Sequence, residues 1–181
     1  SQTLPRKGML GVITKSLDDS TAQTNKLNLK QGLVVTFVVP NSTIENLGVK
    51  VGDVLTSVNH KTFSKHEELV SFAQTLREND SIEITYVSNG TSFTKKNIVQ
   101  PKPKETSDVA DVQYDVVHCS LGTLRSIIHI PKNKSGKFPA IFYLQGYTCS
   151  SQEFPPNSKN ALKMILDDWA KAGYVVYRVE I

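Results

Sequence analysis

The stretch QPKPKETSD, Gln100 to Asp108, divides the chain into two parts that must fold separately. It carries two prolines, alternating charge and no apolar periodicity, so it reads as a linker rather than as helix or strand. Each flank therefore has to build its own core. A length of 181 residues suits one domain and part of another, and 39% hydrophobic with 21% charged residues suits packed structure rather than disorder. The expected division is a domain over 1–100, a linker over 101–110 and a second segment over 111–181.

In the first part, "LVVTFVV" (Leu33 to Val39) is a β-branched strand stopped by Pro40 and Asn41. "NSTIENLGV" supplies Ser and Thr to cap a short helix that Gly48 ends. A Gly52-Asp53 turn leads into a strand with Val54, Leu55 and Val58, and turn chemistry accounts for Asp53 without a catalytic role. A second helix is expected from about His66 to Leu76, capped by Ser64, with Leu69, Phe72, Ala73 and Leu76 on one face. "SIEITYV" and "SFTKKNIV" flank Asn89-Gly90, the strongest hairpin signal in the chain.

With "KGMLGV" (Lys7 to Val12) before these elements and "LGVKVGDVLTSVN" in their midst, the stretch from about Leu4 to Gln100 resembles a PDZ domain of the kind found in secreted bacterial proteases. The resemblance implies a partly open β-barrel with two helices that binds C-terminal peptides of proteins as an added strand. It implies that the amides of Met9, Leu10 and Gly11 cradle the peptide carboxylate, where glycine lets the backbone turn its donors inward. Leu10 and Val12 would line the pocket for the last side chain, Ile13 would continue the receiving strand, and Arg6 and Lys7 would assist with charge. His66, Val70 and Ala73 would show on the groove side of the second helix, His66 meeting a hydroxyl two residues before the terminus. A bulky residue at Gly11 is expected to abolish binding and leave the fold intact. The polar insertion "KSLDDSTAQTNKLNLKQ" would overhang this groove.

The second part opens with "VQYDVVHCSLGTLRSIIHIP", two antiparallel strands around Leu121-Gly122. "AIFYLQG", the helix "NALKMILDDWAKAGY" with Leu162, Ile165, Leu166 and Trp169 on one face and Gly173 at its end, and the strand "YVVYRVEI" follow. This order resembles the start of an α/β-hydrolase domain of the serine esterase or peptidase type, which makes the expected fold class α+β with an incomplete α/β segment. By that resemblance the backbone of Gly146 and Tyr147 would belong to an oxyanion loop. No G-x-S-x-G elbow occurs, so this chain is expected to hydrolyse nothing by itself; Ser150, Ser151 and Cys149 read as bystanders, and His118 and His129 come too early for a triad. The whole is then a peptide-binding module attached to the N-terminal piece of a serine hydrolase. Its alternatives are a fragment of another PDZ-containing serine protease, of the tail-specific type, or a non-catalytic scaffold. A sheet ending in "YVVYRVEI" would expose an apolar edge, with self-association or the missing remainder of the domain as its cover.

A net charge of +4, from 21 basic and 17 acidic residues spread along the chain, gives no nucleic-acid stripe. No apolar run is long enough to span a membrane. Cys119 and Cys149 lie outside any CxxC pair, which leaves at most one bridge and no cysteine-rich zinc site; no cofactor or metal is expected. The resemblance to secreted bacterial proteases implies a secreted or periplasmic location.

Overall fold

The computed structural model describes residues 4–18, 31–120, 122–132, 135–144 and 153–180. The chain forms two compact units, one over residues 5–102 and the other built mainly from residue 103 onward.

The first unit contains β1 (Gly8–Met9), β2 (Val12–Ser16), β3 (Leu33–Val38), α1 (Thr43–Asn46), β4 (Val54–Val58), α2 (His66–Ala73), β5 (Ser81–Ser88), β6 (Thr91–Ile98) and β7 (Gln100–Pro101). Five strands form an antiparallel sheet in the order β2-β3-β4-β5-β6, while β1 and β7 pair separately. The sheet is open, with β2 and β6 at its two edges, consistent with the expected partly open barrel with two helices. Asn89 and Gly90 both take positive φ (49° and 80°), the conformation a two-residue hairpin turn requires. Alternation along β5 sends Ile82, Ile84 and Tyr86 into the core, where Leu33, Ile44 and Leu69 meet them.

Helix α2 ends at Ala73, one turn short of the expected Leu76, although Leu76 is buried. Its start is capped by Glu68, whose carboxylate accepts the amides of Ser64 (2.9 Å) and Lys65 (3.2 Å), rather than by the Ser64 hydroxyl. Those two backbone N–H donors hold the Glu68 carboxyl below its ordinary range. Asp53 closes its turn by accepting the Lys50 amide at 2.8 Å, a structural task.

The second unit contains β8 (Ala110–Cys119), β9 (Gly122–Pro131), β10 (Ala140–Leu144), α3 (Ala161–Ala172) and β11 (Val175–Val179). The sheet order is β10-β11-β9-β8, in which only β10 and β11 run parallel. One parallel pair in an otherwise antiparallel sheet is a mixed layer, without the run of parallel strands that marks an α/β-hydrolase core. The last strand, β11, is interior rather than an open edge: the chain crosses through α3 and inserts β11 between β10 and β9. Within the described strands of this sheet the large exposed apolar residues sit instead on edge strand β10, at Phe142 (56%) and Leu144 (58%).

Helix α3 is capped by the Asn160 side chain, which accepts the Leu162 amide, and ends at Gly173 with φ 104°. Leu166 packs on Phe154 and Val176 with Leu162 and Trp169 beside it, whereas Ile165 turns outward (44% exposed). Lys163 is buried on the inner face and pairs with Asp167 one turn on.

The segment read as a linker supplies a core residue. Glu105 is fully buried, accepts from Arg178 Nη2 at 2.8 Å and the Phe154 amide at 3.2 Å, and lies 2.9 Å from His129 Nε2. Burial pushes the Glu105 pKa up, but the hydrogen bond with His129 and the charge of Arg178 outweigh it and hold the carboxyl below its usual value. The Glu105 amide donates to the Tyr114 hydroxyl (2.8 Å), which donates to Glu153 (2.8 Å); burial raises the Tyr114 pKa. Ser107 donates to Asp167 at 2.7 Å. Cys119 is exposed on β8 with a free thiol, and Cys149 lies outside the described residues.

Candidate functional site

The loop between β1 and β2 is held from one side by the segment around α1. The Thr43 hydroxyl donates to the carbonyl of Met9 (2.6 Å), the Ile44 amide to that of Leu10 (3.1 Å), and the Val39 amide to that of Gly11 (2.9 Å). A trans peptide plane sets its C=O and the next residue's N–H in opposite directions, and no cis bond occurs here. Three carbonyls drawn toward α1 therefore turn the amides of Leu10, Gly11 and Val12 the other way. This shifts the donor set by one residue from the expected Met9, Leu10 and Gly11. The Met9 amide belongs to the β1–β7 ladder, opposite Gln100.

Both glycines of the loop stand where a side chain does not fit. A Cβ on Gly8 would lie 2.4 Å from Val99 Cγ1. Gly11 has φ 77°, and its Cβ would lie 2.1 Å from Ser42 Cβ and 2.6 Å from Ser42 Oγ. Gly11 thus allows close packing on the cap of α1 as well as a left-handed turn.

Strand β2 continues from this loop as an open edge. The Val39–Gly11 bond makes Val12 and Val38 a non-hydrogen-bonded pair, so Val12 directs its N–H and C=O away from β3. At the other end the Leu17 amide bonds Gly32 (3.0 Å) next to the Ser16↔Leu33 pair, which turns Ser16 outward in the same way. Val35 commits its N–H to Asp53 and its C=O to Gly52, so its partner Thr14 also faces the open edge. Every second residue of β2 thus offers one donor and one acceptor.

Helix α2 stands beside that edge. Thr14 Oγ1 lies 3.0 Å from His66 Nδ1, and Ser16 Oγ donates to the Ser64 carbonyl at 2.7 Å. His66, Val70 and Ala73 follow at helical spacing, Val70 being 38% exposed while Ala73 packs on the core. The bond to Thr14 leaves Nε2 as the ring nitrogen of His66 still open to an incoming group.

The remaining expected residues take other places. Ile13 bonds back to β3, directly opposite Phe37, and its side chain is 51% exposed on the outer face. Arg6 is 8% exposed, and its backbone is clamped by Glu78, which accepts its amide at 2.8 Å. Lys7 forms a backbone bridge with Arg77. Gly146 and Tyr147 lie outside the described residues, as does most of the polar insertion after β2. The sequence places Thr14 in the receiving strand but does not show its contact with His66, and it does not single out Ser42 and Thr43; the Ser-Thr pair at the start of α1 is visible as a cap but not as the support of the loop. Among the described residues no His, Cys, Asp and Glu group could hold a metal, and no helix is long and apolar enough to cross a membrane.

Residues 8–96 match the PDZ domain family. Over 183 aligned residues, 97% of this chain and 37% of the relative, the chain is 29% identical to a probable periplasmic serine endoprotease DegP-like protein of Buchnera aphidicola. It is 30% identical over 95 residues to a probable periplasmic serine protease do/HhoA-like of Haemophilus influenzae, covering 52% of this chain and 20% of that protein. It is 27% identical over 107 residues to the periplasmic serine endoprotease DegP of Salmonella typhimurium, covering 59% and 22%. The HtrA-type protease AlgW with decapeptide is a structural neighbour with 25% identity and a TM-score of 0.47, covering 54% of this chain and 30% of that one. The chain thus spans between about a fifth and two-fifths of the curated relatives named.

These relatives overturn the α/β-hydrolase resemblance of residues 111–181, because the match that reaches along 97% of the chain is to a DegP-like endoprotease. With it falls the serine esterase or peptidase parent of that fold, and the missing G-x-S-x-G elbow no longer bears on activity. The strand, loop, helix, strand order that suggested it is shared by many mixed sheets. The alternative of a PDZ-containing serine protease is the one the relatives favour. The curated relatives are periplasmic proteins, in agreement with a secreted or periplasmic location for this chain.

Proposed function

We propose that the first unit binds the free C-terminus of an extended polypeptide in the slot between β2 and α2. The reading rests chiefly on the outward amides of Leu10, Gly11 and Val12 at the head of an open edge strand, whose supporting carbonyl bonds are all in place. Three N–H donors turned to the same side of the loop suit a carboxylate, and the alternating groups of Val12, Thr14 and Ser16 suit a strand's main chain. With its carboxylate at the start of β2, the peptide runs antiparallel to it. Leu10, Val12, Val70 and Ala73 form the pocket for an apolar last residue, and His66 Nε2 meets the residue two before it. Met9 and Ile13 act through the backbone and the outer face, and Arg6 and Lys7 make no direct contact. Within a periplasmic serine endoprotease of the DegP kind, such a unit would hold substrate tails for the catalytic part.

The test is a titration of the chain with a dye-labelled peptide ending in Ser-Thr-Leu-Val and with the same peptide amidated. Hydrogen bonds to a charged group contribute about 1.5–3 kcal/mol each, so amidation is expected to weaken binding by about tenfold or more. Equal affinities for the two peptides would remove the carboxylate reading.

A further inference from the structure

Of the groups that hold the loop carbonyls, two are backbone amides and two are side chains, Ser42 on Gly11 at 3.4 Å beside the Val39 amide and Thr43 alone on Met9. Thr43 is wholly buried. Its hydroxyl donates to Met9 O at 2.6 Å and accepts the Gln100 amide at 2.9 Å. A hydroxyl has a single proton, so these two contacts fix its direction: the proton lies on the Met9 side and a lone pair on the Gln100 side. The Met9–Leu10 peptide plane is thereby pinned by its oxygen, and the Leu10 N–H is aimed by the same bond. Gln100 lies in β7, which pairs with β1 and leads out of the unit.

We propose that Thr43 is a positioning residue for carboxylate recognition, its hydroxyl setting the direction of the Leu10 amide and joining the recognition loop to β7. The proposal rests on the peptide-binding reading. The Ile44 and Val39 anchors survive any side-chain change, so loss of the hydroxyl acts on one donor of three. Thr43→Val keeps the shape and removes the hydroxyl, whereas Thr43→Ser keeps the hydroxyl and removes the methyl. A merely structural residue would lower stability in both and leave the preference for a free carboxylate unchanged.

The free and amidated Ser-Thr-Leu-Val peptides are titrated into the wild-type chain and both variants, with thermal melts alongside. The expected result is that the wild-type preference of about tenfold falls to about threefold or less in Thr43→Val and is kept in Thr43→Ser. A full preference in a folded Thr43→Val, or its loss in Thr43→Ser, overturns the role of the hydroxyl. A wild-type chain without any preference instead removes the peptide-binding reading itself. Should Thr43→Val not fold, hydrogen exchange of the wild-type amides decides: bound peptide should slow Leu10 and Gln100 together. Slowing at Leu10 with Gln100 unchanged overturns the link.

Discussion

Replacing Glu105 by leucine is expected to destabilise the second unit by about 3–5 kcal/mol, because it leaves the Arg178 guanidinium in the interior without the carboxylate that faces it. Trp169, the single tryptophan of the chain, lies in α3 beside the core of that unit, so its fluorescence in a denaturant titration follows this transition. A loss under about 1 kcal/mol would show that the cluster tolerates the change, which a buried charge of this kind should not. The same carboxyl gives a pH dependence with a definite sign. Burial alone would raise its pKa, but the His129 bond and Arg178 lower it below the ordinary 4.5 in the folded state. A depressed carboxylate contributes stability that is fully present above pH 4.5 and is lost as the pH falls through the folded value. The wild-type Trp169 midpoint should therefore drop on acidification below that point, and that of Glu105→Leu should drop less.

Gly11→Val is expected to cost the first unit about 3 kcal/mol or more as well as abolishing peptide binding. The left-handed φ of 77° strains a β-branched residue by about 1–3 kcal/mol, and overpacking against Ser42, 2.1 Å from the new Cβ, adds a similar amount. Circular dichroism of the sheet during urea unfolding measures the loss. Wild-type stability with binding lost would return Gly11 to the role expected from sequence, a residue needed for recognition alone. The distinction matters because the sequence reading treated the fold as indifferent to this position, and the neighbour that makes it otherwise lies 31 residues on.

The first unit was largely legible because its signals are local. Asn89-Gly90 sets its own turn, the Ser42 cap sits next to the helix it starts, and the apolar stripe of α2 identifies the inward face. The loop between β1 and β2 stands out in the sequence, but its outward amides lie one residue later than expected, since the direction of each depends on Thr43, Ile44 and Val39, about 30 residues away. The linker reading failed at Glu105 for a related reason. Charged and small polar residues following two prolines are what a solvated segment looks like, and nothing within ten residues of Glu105 reveals that His129 and Arg178 await it. The interior place of β11 was hidden too: a β-branched strand after a helix fits an edge or the middle of a sheet equally well.

The insertion of β11 between β10 and β9 also sets a schedule for synthesis. Strand β9 is complete at Pro131, yet the strand that pairs its inner side begins at Val175. With roughly 45 residues still to be added at about 5–20 per second, the β8–β9 hairpin waits roughly 2–9 seconds with its apolar inner edge unmet. Strand β10 waits as well, its parallel neighbour being the same late segment. The β8–β9 hairpin and β10 thus lack their shared neighbour until β11 is made, and a factor that shields them acts usefully between the making of Pro131 and Val175.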